Sequence, residues 1–249
     1  MIVFPIKTNK IVPYGQSLFN ILDKYLPSLE ERSILVVTSK IVSICEERVI
    51  KIGEIDKAKL IVQESALYLP PENNKYNITL TIKSGLLVPT AGIDESNGSG
   101  YYILWPQAPQ KSANKIREYL QKRFHLNKIG VIITDSKSSL LRLGTKGIAI
   151  GYSGFSPLKN YVGKPDIFGR KLKVTKANMM DSLAVSAVLV MGEGNEQTPL
   201  AIIQDIPFVT FKKKNPSKKE LNSLIINIKD DLYGSILNRV RWRKGQCKM

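Results

Sequence analysis

Three short apolar runs constrain most strongly what this chain can fold into: Ile34 to Thr38, Ile129 to Thr134 and Leu200 to Gln204. Each has the length and character of a buried strand. Shorter or alternating runs at Met1 to Ile6, Arg48 to Ile52, Asn77 to Lys83, Gly147 to Gly151 and Leu172 to Lys176 read as further strands. Helical periods lie between them. Leu18, Ile21, Leu22 and Tyr25 mark one within Gly15 to Tyr25, and Ser39 reads as the N-cap of a short helical turn. Lys57 to Leu69 reads as a helix stopped by Pro70-Pro71. Lys111 to Phe124 reads as an amphipathic helix and Met179 to Met191 as a long apolar one. Lys218 to Asn238 is helical with an interruption at Gly234. Gly85 to Pro109 has the Gly, Pro, Ser and Asn content of a long functional loop, and Ser153 to Arg170 is loop-like. The elements alternate without a regular strand–helix–strand rhythm, so the expected class is α+β. No internal repeat appears.

Charge comes next. Lys plus Arg number 37 against 21 Asp plus Glu, a net +16 over 249 residues, so the chain should attract anions. Only nine of the basic residues are Arg, whereas base and phosphate recognition leans on Arg. Basic clusters occur at Lys212 to Lys214, at Lys218-Lys219 and from Arg239 to Lys248, where Trp242 intervenes. With no nucleic-acid-binding signature, these argue for a solvated tail over a nucleic-acid surface, which remains a rival reading. The start lacks the charged region of a signal peptide, and Leu183 to Met191 is about half a bilayer span. The expectation is a cytoplasmic protein without a membrane partner.

Side-chain inventory narrows the chemistry. Cys45 and Cys247 are too few for a disulfide framework or a cysteine zinc site, and the single histidine, His125, excludes a multi-histidine metal centre. Three acids stand out. Asp94 sits among small residues in Ala91-Gly92-Ile93-Asp94-Glu95-Ser96-Asn97, where it can reach a ligand or serve as an ordinary turn aspartate. Asp135 follows Val131-Ile132-Ile133-Thr134 at the exit of a buried strand. With the hydroxyl of Ser136 it can hold a cation, or it can form an Asx-turn. Glu193 lies between Gly192 and Gly194, which permit close approach of a ligand; the alternative is a glycine C-cap with an incidental acid. All are oxygen donors and favour a hard cation, Mg²⁺ or Mn²⁺. Such cations beside Lys and Gly suggest phosphate chemistry, although no P-loop, dinucleotide fingerprint or kinase motif is present.

As a set, these motifs resemble one family. The Asp94 segment, then Val131 to Ser136, then Arg142-Leu143-Gly144-Thr145-Lys146-Gly147-Ile148-Ala149-Ile150-Gly151, Gly163 to Arg170 and Met191-Gly192-Glu193-Gly194 occur in the order of coenzyme F420-0:L-glutamate ligases. The resemblance runs from Phe4-Pro5 to about Gln204. It is nearest the bacterial folate-metabolism gamma-glutamate ligase branch, through Thr134-Asp135-Ser136 and Gly154 to Tyr161. It implies an α+β fold with mixed sheets, neither P-loop nor Rossmann. Residues 1–210 would form the catalytic domain, in one lobe or two, and 211–249 a basic helical segment of that domain. It implies a homodimer with strands or loops shared between subunits.

The resemblance also implies an activity: GTP-dependent formation of a γ-linked glutamyl amide between L-glutamate and a carboxylate acceptor, F420-0 or folate-like. Asp94, Asp135 and Glu193 would be catalytic. Asp94 and Asp135 would hold one divalent metal, Ser136 and Glu193 a second, with a monovalent cation as a further candidate. Thr8, Asn9, Lys10, Ile11, Ser39, Lys40 and Asn97 would line the nucleotide pocket, and Met191, Gly192, Glu193, Gly194, Asn195, Glu196, Gln197 and Thr198 would wrap it. Arg142, Lys146 and Arg170 are candidates for holding carboxylates or phosphates, or for surface ion pairs. Two departures bear on specificity. Ile44 stands where the deazaflavin enzymes carry a nucleotide-contacting lysine, which leaves Lys40 to supply that charge or points to a different nucleotide preference. Ser136-Lys137-Ser138 replaces their Thr-Asn-Gly near the acceptor. Rival classes are a nucleic-acid binder and a metal-dependent nucleotide phosphatase.

Overall fold

The computed structural model describes residues 1–247; Lys248, in the basic cluster above, lies outside them. In chain order the elements are β1 (Ile2–Ile6), α1 (Leu18–Tyr25), β2 (Ile34–Thr38), α2 (Ser39–Cys45), β3 (Val49–Lys51), α3 (Lys57–Glu64) and β4 (Leu67–Leu69). Then come β5 (Leu80–Lys83), β6 (Leu86–Pro89), β7 (Tyr101–Ile103), α4 (Pro109–Phe124), β8 (Gly130–Ser139) and β9 (Arg142–Ser153). The chain finishes with β10 (Leu158–Asn160), β11 (Lys176–Asn178), α5 (Met179–Met191), β12 (Leu200–Gln204), α6 (Lys218–Asn222), α7 (Gly234–Leu237) and β13 (Arg243–Lys244).

The main sheet runs β1-β12-β2-β8-β9. Its central pair, β2 and β8, is parallel, from Ile34 opposite Gly130 to Thr38 opposite Thr134, and the other pairings are antiparallel. Both faces are covered, which is why these strands read as unbroken apolar runs. Leu35, Val37, Val131 and Ile133 pack with Leu22, Ile116 and Leu120 on one face. Ile34, Val36 and Ile132 pack with Leu183, Ala184 and Ala187 of α5 on the other. Burying each large aliphatic side chain contributes about 1.5–3 kcal/mol. A second sheet, β13-β4-β5-β6, and the β3–β7 pair flank a smaller core of Leu60, Ile61, Ala91, Ile93, Tyr102 and Leu104. The α+β class with mixed sheets therefore holds.

Several local expectations are corrected. The helix over Lys57 to Leu69 ends at Glu64, and Leu67–Leu69 becomes a strand because β5 offers it a full ladder. The supposed loop from Gly85 to Pro109 contains β6 and β7. Ser39 is the first residue of α2, and Thr38 is the N-cap, without a side-chain cap bond. The strand expected at Leu172 to Lys176 lies at Lys176–Asn178, paired with β10 inside the Ser153 to Arg170 stretch. Lys218 to Asn238 holds only the short α6 and α7, with turns between. Polar, Gly-interrupted sequence there buries too little apolar surface to sustain a longer helix.

The largest correction concerns β8 and β9. They continue past the apolar core as a polar ribbon to Ser139 and Arg142, so Asp135 lies within a strand and not at its exit. Gly147 sits in this ribbon where α5 crosses it: a Cβ there would meet the Ala184 carbonyl oxygen at 2.6 Å and Val188 at 2.8 Å. Gly147→Ala is expected to push α5 off the sheet and cost about 1–3 kcal/mol. Urea unfolding within about 0.5 kcal/mol of the parent would refute this.

Candidate active site

The acids gather where the parallel pairing of β2 with β8 ends, at Thr38 opposite Thr134. Between Ile133 and Thr134 the register with β9 slips, leaving Ile150 without an opposite residue. Such a bulge re-aims the side chains that follow. Successive strand residues point to opposite faces, so Asp135 and Ser136 diverge. Asp135 turns towards the start of α2, where Ser39 Oγ donates to its Oδ1 at 3.3 Å, and its Oδ2 accepts from the indole N–H of Trp105. Ser136 turns towards the end of α5, with its Oγ 2.8 Å from both carboxylate oxygens of Glu193.

Asp94 reaches the same place from the smaller core. Its backbone exchanges hydrogen bonds with Ile103, at 3.0 and 2.8 Å. Its Oδ2 lies 2.7 Å from Lys40 Nζ, and its Oδ1 accepts from the Ser96 backbone N–H at 2.7 Å. The turn-aspartate geometry is thus present alongside the contact with α2. The approach to Asp94 is strained: Thr90, Ala91 and Gly92 have φ of 50°, 53° and 71°. A β-branched residue rarely adopts such an angle. The kink is held by the Ala91 N–H donating to Thr81 Oγ1 at 2.9 Å, while that hydroxyl donates to the Val88 carbonyl oxygen at 2.7 Å.

A third segment closes the site. Gly192 caps α5 with φ 79°, its N–H donating to Val188 O at 3.0 Å, so the glycine-cap geometry is also present. Asn97 Nδ2 donates to the Gly194 carbonyl oxygen at 2.9 Å, bridging the Asp94 loop to the segment after α5. Glu196 accepts from the Gly194 N–H at 2.8 Å, the Thr8 N–H donates to Gln197 O at 2.8 Å, and Thr198 Oγ1 donates to Met191 O. Thr8 and Ser39 are buried, whereas Asn9, Lys10 and Asn195 are exposed. Ile11 packs against the core.

Charge is balanced unevenly. Burial lifts the Asp94 carboxyl, but the hydrogen bond and charge of Lys40, with Ser96, outweigh it and hold the group below the usual carboxylate range. Asp94 therefore contributes stability above the unfolded pKa of about 3.9, and that contribution is lost as pH falls through the lower folded value. Lys40→Met should flatten this acid limb; parallel melting curves of the two proteins below about pH 4 would refute it. Asp135 behaves oppositely. Burial pushes its carboxyl up and the charge of Asp94 adds to the push, against the Trp105 indole, the Ser136 N–H and Lys40.

Among the described residues no three His, Cys, Asp or Glu side chains form a metal-holding group. The oxygen donors come instead as two pairs, Asp94 with Asp135 and Ser136 with Glu193. Ile44, in the lysine position noted above, is buried with Val49 and Ile103, so Lys40 is the cation at Asp94. Lys146 stands opposite Lys137, one register step from Ser136, while Arg142 lies opposite Ser139 at the exposed ribbon tip. Arg170 is exposed in a turn where its backbone N–H donates to the Asp166 carboxylate and its carbonyl oxygen accepts from the Asp166 N–H, both at 2.9 Å. His125 takes the left-handed C-cap of α4. Two concavities of about 400 and 370 Å³ open around Glu31 and Arg32, before the N-terminal ends of β2 and β8, and include none of the candidate residues. Trp105 was missed from sequence: a lone aromatic before Pro106 carries no spacing signal.

The basic tail is partly built into the fold. Lys212 pairs with Glu220, and β13 adds Arg243 and Lys244 to the edge of β4. No helix among the described residues is long and apolar enough to cross a membrane.

The family pattern described as F420-0:Gamma-glutamyl ligase matches residues 5–205. The chain is 37% identical over 216 residues to a coenzyme F420:L-glutamate ligase of Methanococcus maripaludis, covering 79% of this chain and 84% of that protein. It is 34% identical over 221 residues to the enzyme of the same name from Methanocaldococcus jannaschii, covering 85% and 82%. It is 32% identical over 234 residues to that of Methanopyrus kandleri, covering 86% and 90%. The chain thus belongs to the F420-0:gamma-glutamyl ligase family and is a ligase.

Proposed function

We propose that the chain joins L-glutamate through a γ-linked amide to a carboxylate acceptor, F420-0 first and a folate-like acid as the alternative, at the expense of GTP. The observation that carries this reading is the pairing of Asp94 with Asp135 and of Ser136 with Glu193, with the Asp94 loop tied to the segment after α5 by the Asn97–Gly194 bond. The names of the relatives favour F420-0. The Ser136-Lys137-Ser138 ribbon is what argues for a different acceptor.

The donor set fits a hard divalent cation: carboxylates and a hydroxyl only, with the Asp135 carboxyl pushed up by burial and by the charge of Asp94, which Lys40 and the hydrogen bonds to the carboxylate do not fully offset. Asp94 and Asp135 would hold one such ion, Ser136 and Glu193 another. Bound Mg²⁺ or Mn²⁺ would offset phosphate charge during transfer. The chain's own residues do the rest. The segment from Met191 to Thr198 wraps the nucleotide with backbone groups, Asn97 ties that wrap to the Asp94 loop, and Lys40 supplies positive charge. The acceptor carboxylate attacks the γ-phosphate of GTP, GDP leaves, and the glutamate amine then displaces phosphate from the acyl phosphate. Lys137, Lys146 and Arg142 on the ribbon are placed to hold an acidic acceptor.

The implied homodimer is supported by fully exposed Leu141 and Leu143 at the ribbon tip and by Ile167 and Phe168 nearby in sequence. We place the enzyme in the cytoplasm. The test is mass spectrometry of reactions containing GTP, Mn²⁺, L-glutamate and either F420-0 or a folate monoglutamate. One glutamyl unit gained on an acceptor with matching GDP is the expected result. GTP hydrolysis that ignores glutamate would replace the ligase with a phosphatase, and a monomer by light scattering would remove the dimer.

A further inference from the structure

Trp105 is 2% exposed, and its indole N–H meets Asp135 Oδ2. An indole nitrogen only donates, so it can face nothing but an acceptor. The surroundings are built around this contact. Gly92 lies against the ring: a Cβ there would stand 2.1 Å from Nε1. The Trp105 carbonyl oxygen accepts from Arg48 Nε at 3.3 Å, and Lys83 Nζ stands 5.4 Å from the ring centroid. Both cations converge on Glu64, Arg48 Nη2 at 2.8 and 2.9 Å and Lys83 Nζ at 2.7 Å. Lys83 is itself only 6% exposed, so this is an ion triad set behind the tryptophan and not a surface pair.

We propose that Trp105 is a positioning residue: it occupies one oxygen of Asp135 and so presents the carboxylate, in a single orientation, to a divalent cation shared with Asp94. The inference rests on the ligase reading of the site. Gly92 makes the slot, and the Arg48–Glu64–Lys83 triad holds the indole from its backbone and its face. Partners that orient a ligating carboxylate typically change metal affinity by about 10–100-fold when removed.

The test uses the full chain and Mn²⁺ alone, followed by calorimetry. Trp105→Phe keeps a ring and deletes the donor. Gly92→Ala keeps the donor and displaces it. Both are expected to weaken Mn²⁺ binding about 10-fold or more. A packing role alone would lower the melting temperature and leave the Mn²⁺ affinity within twofold, and that result overturns the proposal. The chain has two tryptophans, so Trp242→Phe leaves Trp105 as the sole indole emitter. Its fluorescence should be quenched by Mn²⁺ in the parent background and not when Asp135→Asn is added. This arm decides the matter if either ring-site variant fails to fold; absence of quenching overturns the proposal. Parent protein that binds no Mn²⁺ removes the metal reading and the inference together. A parent that binds while the variants bind equally removes the inference alone.

Discussion

Asp135→Asn is expected to lower ligase turnover by at least about a thousandfold while making the metal-free protein more stable. The two effects share one cause. Asp135 is partly buried, its carboxyl lies among packed atoms beside a second acid, and both burial and Asp94 push it above its usual range. Its folded form binds a proton more readily than its unfolded form. Ionisation therefore costs stability as pH rises from about 3.9 through the raised folded value, and the penalty persists above it. Asparagine keeps an oxygen for the Trp105 indole and removes the charge. The lost charge is also what would draw a cation to the site. About 4 kcal/mol of electrostatic stabilisation of transfer corresponds to a thousandfold in rate. The measurement is paired: turnover by product mass and melting temperature in a chelator at neutral pH. A variant that melts below the parent, or keeps a tenth of its turnover, would show that Asp135 serves packing and not chemistry.

Arg117→Met should do the reverse, destabilising the fold while leaving the chemistry of surviving molecules intact. Arg117 is 2% exposed. Its guanidinium donates to Ile129 O at 3.0 Å, Asn215 Oδ1 at 2.8 Å, Lys212 O at 3.0 Å and Lys213 O at 2.9 Å. It thereby pins the start of the basic tail to α4 and to the N-terminal end of β8. Gly154 leaves room for it, since a Cβ there would stand 2.5 Å from Arg117 Nε. Methionine fills the volume and orphans three carbonyl acceptors, while Asn215 Oδ1 keeps the Ser153 hydroxyl at 2.9 Å. The cost should be about 3 kcal/mol or more, lowering the melting temperature by about 6–12 °C. Lysine should recover only part of this, because one ammonium cannot span the fork of acceptors. A melting temperature within about 2 °C of the parent would refute the account. The acids lie at the opposite end of β8, so activity per folded molecule at low temperature should be retained.

These two residues also mark what could be seen beforehand. Asp135 was legible because it follows an apolar run, and Arg117 was not. On paper it is one of several basic residues on an amphipathic helix, and only the return of residues 212–215 to that helix gives it three of its four partners. The same distinction separates the elements. β2, α5 and β12 match their apolar runs residue for residue, since both sheet faces are covered. The polar halves of β8 and β9 do not, because Ser, Lys, Thr and Arg pair through backbone hydrogen bonds that hydropathy does not record. Leu67–Leu69 continued a helical pattern and was taken by β5 instead, as an unpaired strand edge outweighs a weak helical preference.

The sequence by itself determined the α+β class and the family, since each depends on residue type and on order along the chain. Tertiary structure alone decided how the donors are shared out. It set Asp135 and Ser136 on opposite faces of one strand, brought Lys40 to Asp94, buried Ile44 in the core and put Trp105 against Asp135. The Trp105–Asp135 and Lys40–Asp94 contacts join residues 30 and 54 positions apart, and a bulge, a kink at positive φ and the absence of a Cβ at Gly92 bring them about. Such long-range contacts leave no local pattern, because the energy that selects them comes from packing between segments and not from neighbours in the chain.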